Sequence, residues 1–142
     1  MSILNTDDHE DDVLLEVNNL VVHYVVEGKT CEAVNDISFK LRKGHAIGLV
    51  GETGAGKTTT ALSILNLVPD PPGIIKNGDI KVCGHDMLNI GSEDLEKIRG
   101  KEVSMIFQDP MTSLNPVMTV GEQVAESIRL HEKLNKKDAF NK

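Results

Sequence analysis

Residues 50–60 read VGETGAGKTTT. A run of small and hydroxyl residues ends in Gly56-Lys57-Thr58, directly after the unbroken apolar stretch Ala46-Ile47-Gly48-Leu49-Val50. Gly51-x-x-x-x-Gly56-Lys57-Thr58 satisfies every fixed position of a phosphate-binding loop. The residue types follow from the chemistry. Several donors must converge on a triphosphate within a short arc, and backbone N–H groups converge only where side chains do not obstruct. Gly51, Gly54 and Gly56 allow that approach and any positive φ it demands. A helix starting at Lys57 adds free N–H groups and the positive end of its dipole. Lys57 supplies a full charge for the β- and γ-phosphates, and the Thr58 hydroxyl can ligate Mg²⁺. The competing reading, a glycine-rich turn that matches by accident, has odds on the order of one in a hundred or less in a chain this long.

Working outward, Ala46–Val50 reads as a buried parallel strand. Lys57 to Val68 reads as a helix with an apolar face of Ala61, Leu62, Ile64, Leu65 and Val68, stopped by Pro69-Asp70-Pro71-Pro72-Gly73. Upstream, Val13–Val17 and Leu20–Val26 read as two strands joined by a turn at Asn18-Asn19. Glu27-Gly28-Lys29-Thr30 reads as a further turn, and Ala33–Leu41 as an imperfectly alternating strand. Downstream come a small strand at Asp79–Val82 and a short helix capped by Ser92 and ended at Arg99-Gly100. A strand follows at Glu102–Phe107. A capping box at Thr119-Val120-Gly121-Glu122 then opens a helix reaching Lys133. At Asn135–Lys142 a further helix begins.

The 142 residues suffice for one domain with a core, and 39% hydrophobic with 26% charged residues is a soluble globular balance. No apolar run approaches the ~20 residues that span a bilayer, and the first residues lack the basic and apolar regions of a secretory signal. Cys31 and Cys83 read as reduced cytosolic thiols, and the five histidines show no ligand spacing. Of the net charge of −7, five negative charges come from Asp7, Asp8, Glu10, Asp11 and Asp12. The remainder carries no basic stripe for nucleic acid. Residues 1–12 are expected to be an acidic disordered leader.

A phosphate loop alone leaves the use of the nucleotide open. The stretch MIFQDPMTSLNP, Met105–Pro116, narrows it. Gln108 would leave the Glu102–Phe107 strand toward the γ-phosphate, where a neutral amide can ligate Mg²⁺ or orient water. Alone, it would lose to the reading of an ordinary surface turn. With that stretch in view, the chain resembles the nucleotide-binding subunits of ATP-binding cassette (ABC) transporters. GETGAGKTTT looks like their Walker A motif and FQDP like their Q-loop. FQDPMTSLNPVMTVGEQ, AVNDISFKLRKGHAIGLVGE and KIRGKEVSMIFQDP look like the oligopeptide, dipeptide and nickel importer branch. The likeness covers about residues 13–135.

The resemblance implies an α/β fold: a partial P-loop NTPase core with an N-terminal antiparallel β subdomain and the start of a helical subdomain, within residues 13–142. It implies that Tyr24 stacks on adenine and that the backbone of Thr53, Gly54, Ala55, Gly56, Lys57, Thr58 and Thr59 holds the phosphates of ATP. It implies that Thr58 and Gln108 ligate Mg²⁺, and that Gln108 senses the γ-phosphate. Thr53 and Ala55 stand where the branch often has serines, a small departure because the backbone does the holding. The implied partners are transmembrane permease subunits, a second ATP-binding subunit (identical or a paralogue) and, indirectly, a solute-binding protein, at the cytoplasmic face of the membrane. The family's signature loop, Walker B aspartate with its catalytic glutamate, and switch histidine are not in this sequence. The leading expectation is therefore the truncated ATP-binding subunit of an importer of peptides or related solutes, unable to hydrolyse ATP alone. The alternatives are a non-catalytic nucleotide-binding fragment and a soluble ABC-type ATPase acting on DNA or ribosomes; the Met111–Gln123 segment and the lack of a basic patch argue against the last.

Overall fold

The computed structural model describes residues 12–109 and 114–142. The expected acidic leader, apart from Asp12, and Pro110–Ser113 of the Q-loop-like segment lie outside the described residues. The chain divides into two compact units, at Gly91 and Ser92.

The first unit is built on a four-stranded antiparallel sheet of order β2-β1-β3-β4, from β1 (Val13–Val26), β2 (Lys29–Arg42), β3 (Gly73–Val82) and β4 (His85–Asp86). β1 and β2 form a hairpin closed by Glu27-Gly28, both at positive φ (51° and 75°), with Val26 opposite Lys29. Two central residues in that conformation match the twist of the flanking strands, so the two-residue turn fixes the register. Asn18-Asn19 is not a turn. β1 runs unbroken past it as a bulge: the register with β2 shifts between Val17 and Leu20, and with β3 between Asn18 and Val21. Asn19, at φ 47°, donates its backbone N–H to Ser38 Oγ (2.8 Å) and its side-chain amide to Asp36 Oδ1 (2.9 Å), while its carbonyl accepts from Asn77 Nδ2 (3.2 Å). Polar partners on both neighbouring strands replace the ladder bonds that a bulge loses.

One face of the sheet buries Val17, Leu20, Val22, Val34, Phe39, Ile80 and Val82, joined by Leu65 and Met87. Helix α1 (Lys57–Ile64) packs against β2 and β3. Within the helix the buried positions are Thr60 and Ser63, and of the expected apolar ones Leu65, at its C-cap, is buried. The Thr60 and Ser63 hydroxyls donate to the carbonyls of Gly56 (2.9 Å) and Thr59 (2.8 Å), so the buried polar atoms are satisfied and two small side chains let the helix approach closely. The helix also ends earlier than the proline run. Asn66 takes φ 52°, its N–H donates to Ser63 O (2.9 Å), and Leu67 N–H donates back to Leu62 O (2.8 Å). This pair of bonds is the Schellman arrangement.

Two expected strands are absent. Ala46–Val50 and the segment Ser104–Phe107 have no strand partner among the described residues; only an isolated parallel bridge joins Arg99 to Val103. Val50 is 84% exposed and Ile106 97%. A parallel strand exists only through the bonds it makes with neighbours, and without them the apolar run stays irregular.

The second unit contains α2 (Ser92–Ile98), α3 (Val120–Glu132) and α4 (Lys136–Phe140). Ser92 is the first residue of α2, Glu93 and Asp94 sit in its first turn, and Gly100 at φ 84° follows its end. The capping box at α3 forms as its sequence demands. Thr119 Oγ1 accepts from Glu122 N–H (3.3 Å), and the Glu122 carboxylate accepts from Thr119 N–H (3.4 Å). α4 folds back onto α3, with Lys136 Nζ 2.9 Å from Glu122 Oε1 and the Phe140 ring close over Gly121. Hydrogen bonds from the Lys136 ammonium, and then from Thr119, hold the Glu122 carboxyl below the usual carboxylate range.

Candidate phosphate-binding site

The loop 51–56 is set by where its last glycine lies. Gly56 is the N-cap of α1 at φ 79°, in the left-handed region. A Cβ there would stand 2.1 Å from the carbonyl oxygen of Ala33 on β2. Glycine is required twice over, by conformation and by space. Gly54 also has positive φ (85°), and Ala55 N–H donates to Glu52 O (3.1 Å), which curls the loop into an arc.

Lys57 opens α1 and turns back over that arc. Its ammonium donates to the carbonyl oxygens of Gly51 and Glu52, both at 2.7 Å. A cation is thereby held across the concave side of a loop that ends at a helix N-terminus. The N–H groups of Lys57, Thr58 and Thr59 lie in the first turn of α1 and have no intrahelical acceptor, whereas Thr60 N–H already bonds Gly56 O (2.8 Å). No acidic residue sits in that turn to oppose an anion. Thr58 is exposed. A groove of about 450 Å³ runs between the loop and β2, lined in part by Glu32, Asn35, Leu49, Gly51, Gly54 and Lys57. Donors, dipole and fixed cation point to one class of ligand, a phosphate chain. The β2 wall of Glu32, Ala33 and Asn35 was not among the residues singled out from sequence; the one signal for it is that Gly56 needs a close backbone neighbour.

The other expected site residues are placed apart. Tyr24 is on β1, half-buried, opposite Cys31 and Gly73. Its ring edge lies where a Cβ on Gly73 would be 2.9 Å away, and it does not line the groove. Gln108 belongs to the second unit and is exposed. The structure therefore assembles Gly51–Thr59 in one place, with Tyr24 on the same unit and Gln108 on the other.

The family model of the ABC transporter matches residues 34–142. The chain belongs to the ABC transporter family. Among ABC relatives, it is 48% identical over 126 residues to the oligopeptide transport ATP-binding protein AppD of Bacillus subtilis, covering 89% of this chain and 38% of that protein. The oligopeptide transport ATP-binding protein OppD of the same organism is 44% identical over 126 residues, with 89% and 35% covered. That of Escherichia coli is 43% identical over 129 residues, with 91% and 38% covered. The chain thus spans little more than a third of the length of these relatives. A bacterial ABC transporter cassette solved as a dimer has the same fold, with a TM-score of 0.75 at 18% identity over 89% of this chain and 53% of that one. The same cassette in a post-hydrolysis state bound to ADP and Pi gives 0.72 at 17% identity, with the same shares covered. The resemblance and fold class read from the sequence are those found. Among the described residues no helix of this ABC chain is long and apolar enough to cross a membrane.

Proposed function

We propose that this chain is the ATP-binding part of an importer subunit that energises uptake of peptides or a related small solute. The observation that carries the reading is the Lys57 ammonium, held 2.7 Å from two loop carbonyls beside the open N-terminus of α1. Lys57 and the backbone of Thr53–Thr59 hold the phosphates. The exposed Thr58 hydroxyl and the Gln108 amide would hold Mg²⁺, which would supply neutralisation of charge on the transferred phosphoryl group. Two neutral oxygen donors together with the substrate's own phosphates suit Mg²⁺, which binds through few protein ligands. Tyr24 stacks on adenine. Residues 13–142 act as the nucleotide-binding domain and pair with a second ATP-binding subunit at the cytoplasmic face of the membrane. There they engage permease subunits served by a solute-binding protein. Exposed apolar side chains beside the capping box, Val117, Val120 and Val124, support a protein partner on that face of the second unit.

Binding and turnover are separable. Phosphoryl transfer also needs an oriented water, and the carboxylates after Gln108 in this sequence are Asp109, Glu122, Glu126, Glu132 and Asp138. The Glu122 carboxylate accepts from Thr119 and Lys136, and that of Glu132 from Lys142. Residues 1–142 alone are therefore expected to bind Mg·ATP without turning it over faster than a Lys57→Ala control. Calorimetric titration tests the site: Lys57→Ala should weaken binding at least tenfold, and equal affinities would remove the assignment.

A further inference from the structure

We propose that Glu32, positioned by Asn35, accepts a hydrogen bond from the ribose hydroxyls of the bound nucleotide, so that the site selects ribonucleotides over deoxyribonucleotides. This role rests on the reading of loop 51–56 as the phosphate site and of Tyr24 as the platform for the base.

The strand that walls the groove is irregular where it passes the loop. Val34 pairs with Val22, and Glu32 with the next residue of β1, His23, so Ala33 is an extra residue in β2. The loop closes in at this bulge: the Ala33 carbonyl oxygen is the atom that a Cβ on Gly56 would meet at 2.1 Å. The bulge also changes facing. Residues three apart in a regular strand point to opposite sides, whereas one extra residue between them brings Glu32 and Asn35 to the same side. Asn35 Nδ2 donates to Glu32 Oε2 at 3.3 Å, and both residues line the groove. Among the described residues, no group donates to Glu32 Oε1.

Taken alone, a carboxylate is the wrong wall for a phosphate groove. It repels the anion that Lys57 and the N-terminus of α1 attract. What suits it is a donor on the ligand, and a nucleoside triphosphate carries its donors on the sugar and the base. Order along β2 selects the sugar. Ala33 abuts the loop, Glu32 comes next, and Cys31, one position further, pairs with Tyr24. Phosphate, sugar and base follow one another in a nucleotide in that same order. A ribose hydroxyl then donates to Oε1 in a charge-assisted bond. Asn35, by holding Oε2, keeps the carboxylate on the groove instead of in solvent.

The test is calorimetric titration of the 142-residue chain with ATP, 2′-deoxy-ATP and 3′-deoxy-ATP in Mg²⁺, on the wild type, Glu32→Ala and Asn35→Ala. The wild type should bind ATP roughly tenfold more tightly than at least one deoxy analogue, the weight of a hydrogen bond to a charged group. In Glu32→Ala that preference should shrink to within about twofold, because the acceptor is gone. Asn35→Ala should lose part of the preference. A structural role for Glu32 would move all three affinities together, and that result overturns the proposal. So does a wild type that binds all three equally, or a Glu32→Ala that keeps the full preference. A full preference in Asn35→Ala overturns the positioning role. A wild type that binds none of the three removes the nucleotide-binding reading, and this one with it. Both side chains are exposed, so neither substitution opens the core. If Glu32→Ala fails to fold, Glu32→Gln carries the comparison, with a reduced preference expected from its neutral acceptor.

Discussion

β1 and the run Ala46–Val50 are both rich in branched aliphatic residues, yet one lies inside a sheet and the other is irregular. The difference lies in where their partners are. β1 meets β2 across a two-residue turn and β3 from beyond α1, in antiparallel register on both sides. Ala46–Val50 has the composition of a parallel strand, which requires neighbours delivered by crossovers, and none stands beside it among the described residues. Composition states which segments can be buried; pairing decides which are.

The sharpest way to break this comparison is to delete side chains in both regions. Ile80 is fully buried opposite Val17, so Ile80→Ala should cost about 2–5 kcal/mol. Val50→Ala should change stability by less than about 0.5 kcal/mol. The chain has one tyrosine and no tryptophan, so Tyr24 emission during urea unfolding reports the first unit alone. Equal costs would mean that Val50 is packed after all. Next in size is Gly78→Ala. Gly78 has φ 116°, and a Cβ there would lie 2.7 Å from Leu20 Cα and 2.9 Å from Asn18 O. The backbone region alone predicts roughly 1–3 kcal/mol, and the same measurement checks it.

Tyr24 sharpens the contrast between packing and recognition. If its ring serves adenine, Tyr24→Ala should weaken ATP binding by roughly 1–3 kcal/mol in calorimetry, with GTP competing appreciably because stacking tolerates any base. Unchanged affinity would leave it as a cover for Gly73.

The smallest effect is electrostatic. Glu16 on β1 pairs with Lys40 on β2 at 3.0 Å, and hydrogen bonds from Lys40, then Asn18, lower its pKa below the ordinary 4.5. A carboxylate depressed in the folded state contributes stability that is complete above the unfolded value and is lost as pH falls through the folded one. Both side chains are partly exposed, which limits the pair to about 0.2–1 kcal/mol. Urea midpoints from pH 7 down to pH 3 should fall slightly less steeply for Glu16→Gln than for wild type.

Features written in consecutive residues were legible beforehand. The glycine-curled loop 51–56, the Glu27-Gly28 turn, the Gly100 helix stop and the Thr119–Glu122 box each carry their cause within a few positions. What escaped depends on distant partners. The Asn18-Asn19 bulge is satisfied by Asp36, Ser38 and Asn77, and the hydroxyl face of α1 makes sense only against the sheet. The groove wall on β2 likewise joins residues that no periodicity links. The strand expected at Glu102–Phe107 failed for the same reason as Ala46–Val50.

The bulge at Asn19 has a bearing on how the protein can vary. Val17 and Leu20 both face the core, although residues three apart in a regular strand point to opposite sides. The two halves of β1 are thus written in different phases, and the extra residue works like a frame correction between them. Replacing Asn19 should be tolerated far better than deleting it. Removal would turn Val13, Leu15 and Val17 outward together while leaving Leu20 and Val22 in place. Chain length at this point, rather than residue identity, is what inheritance must keep constant.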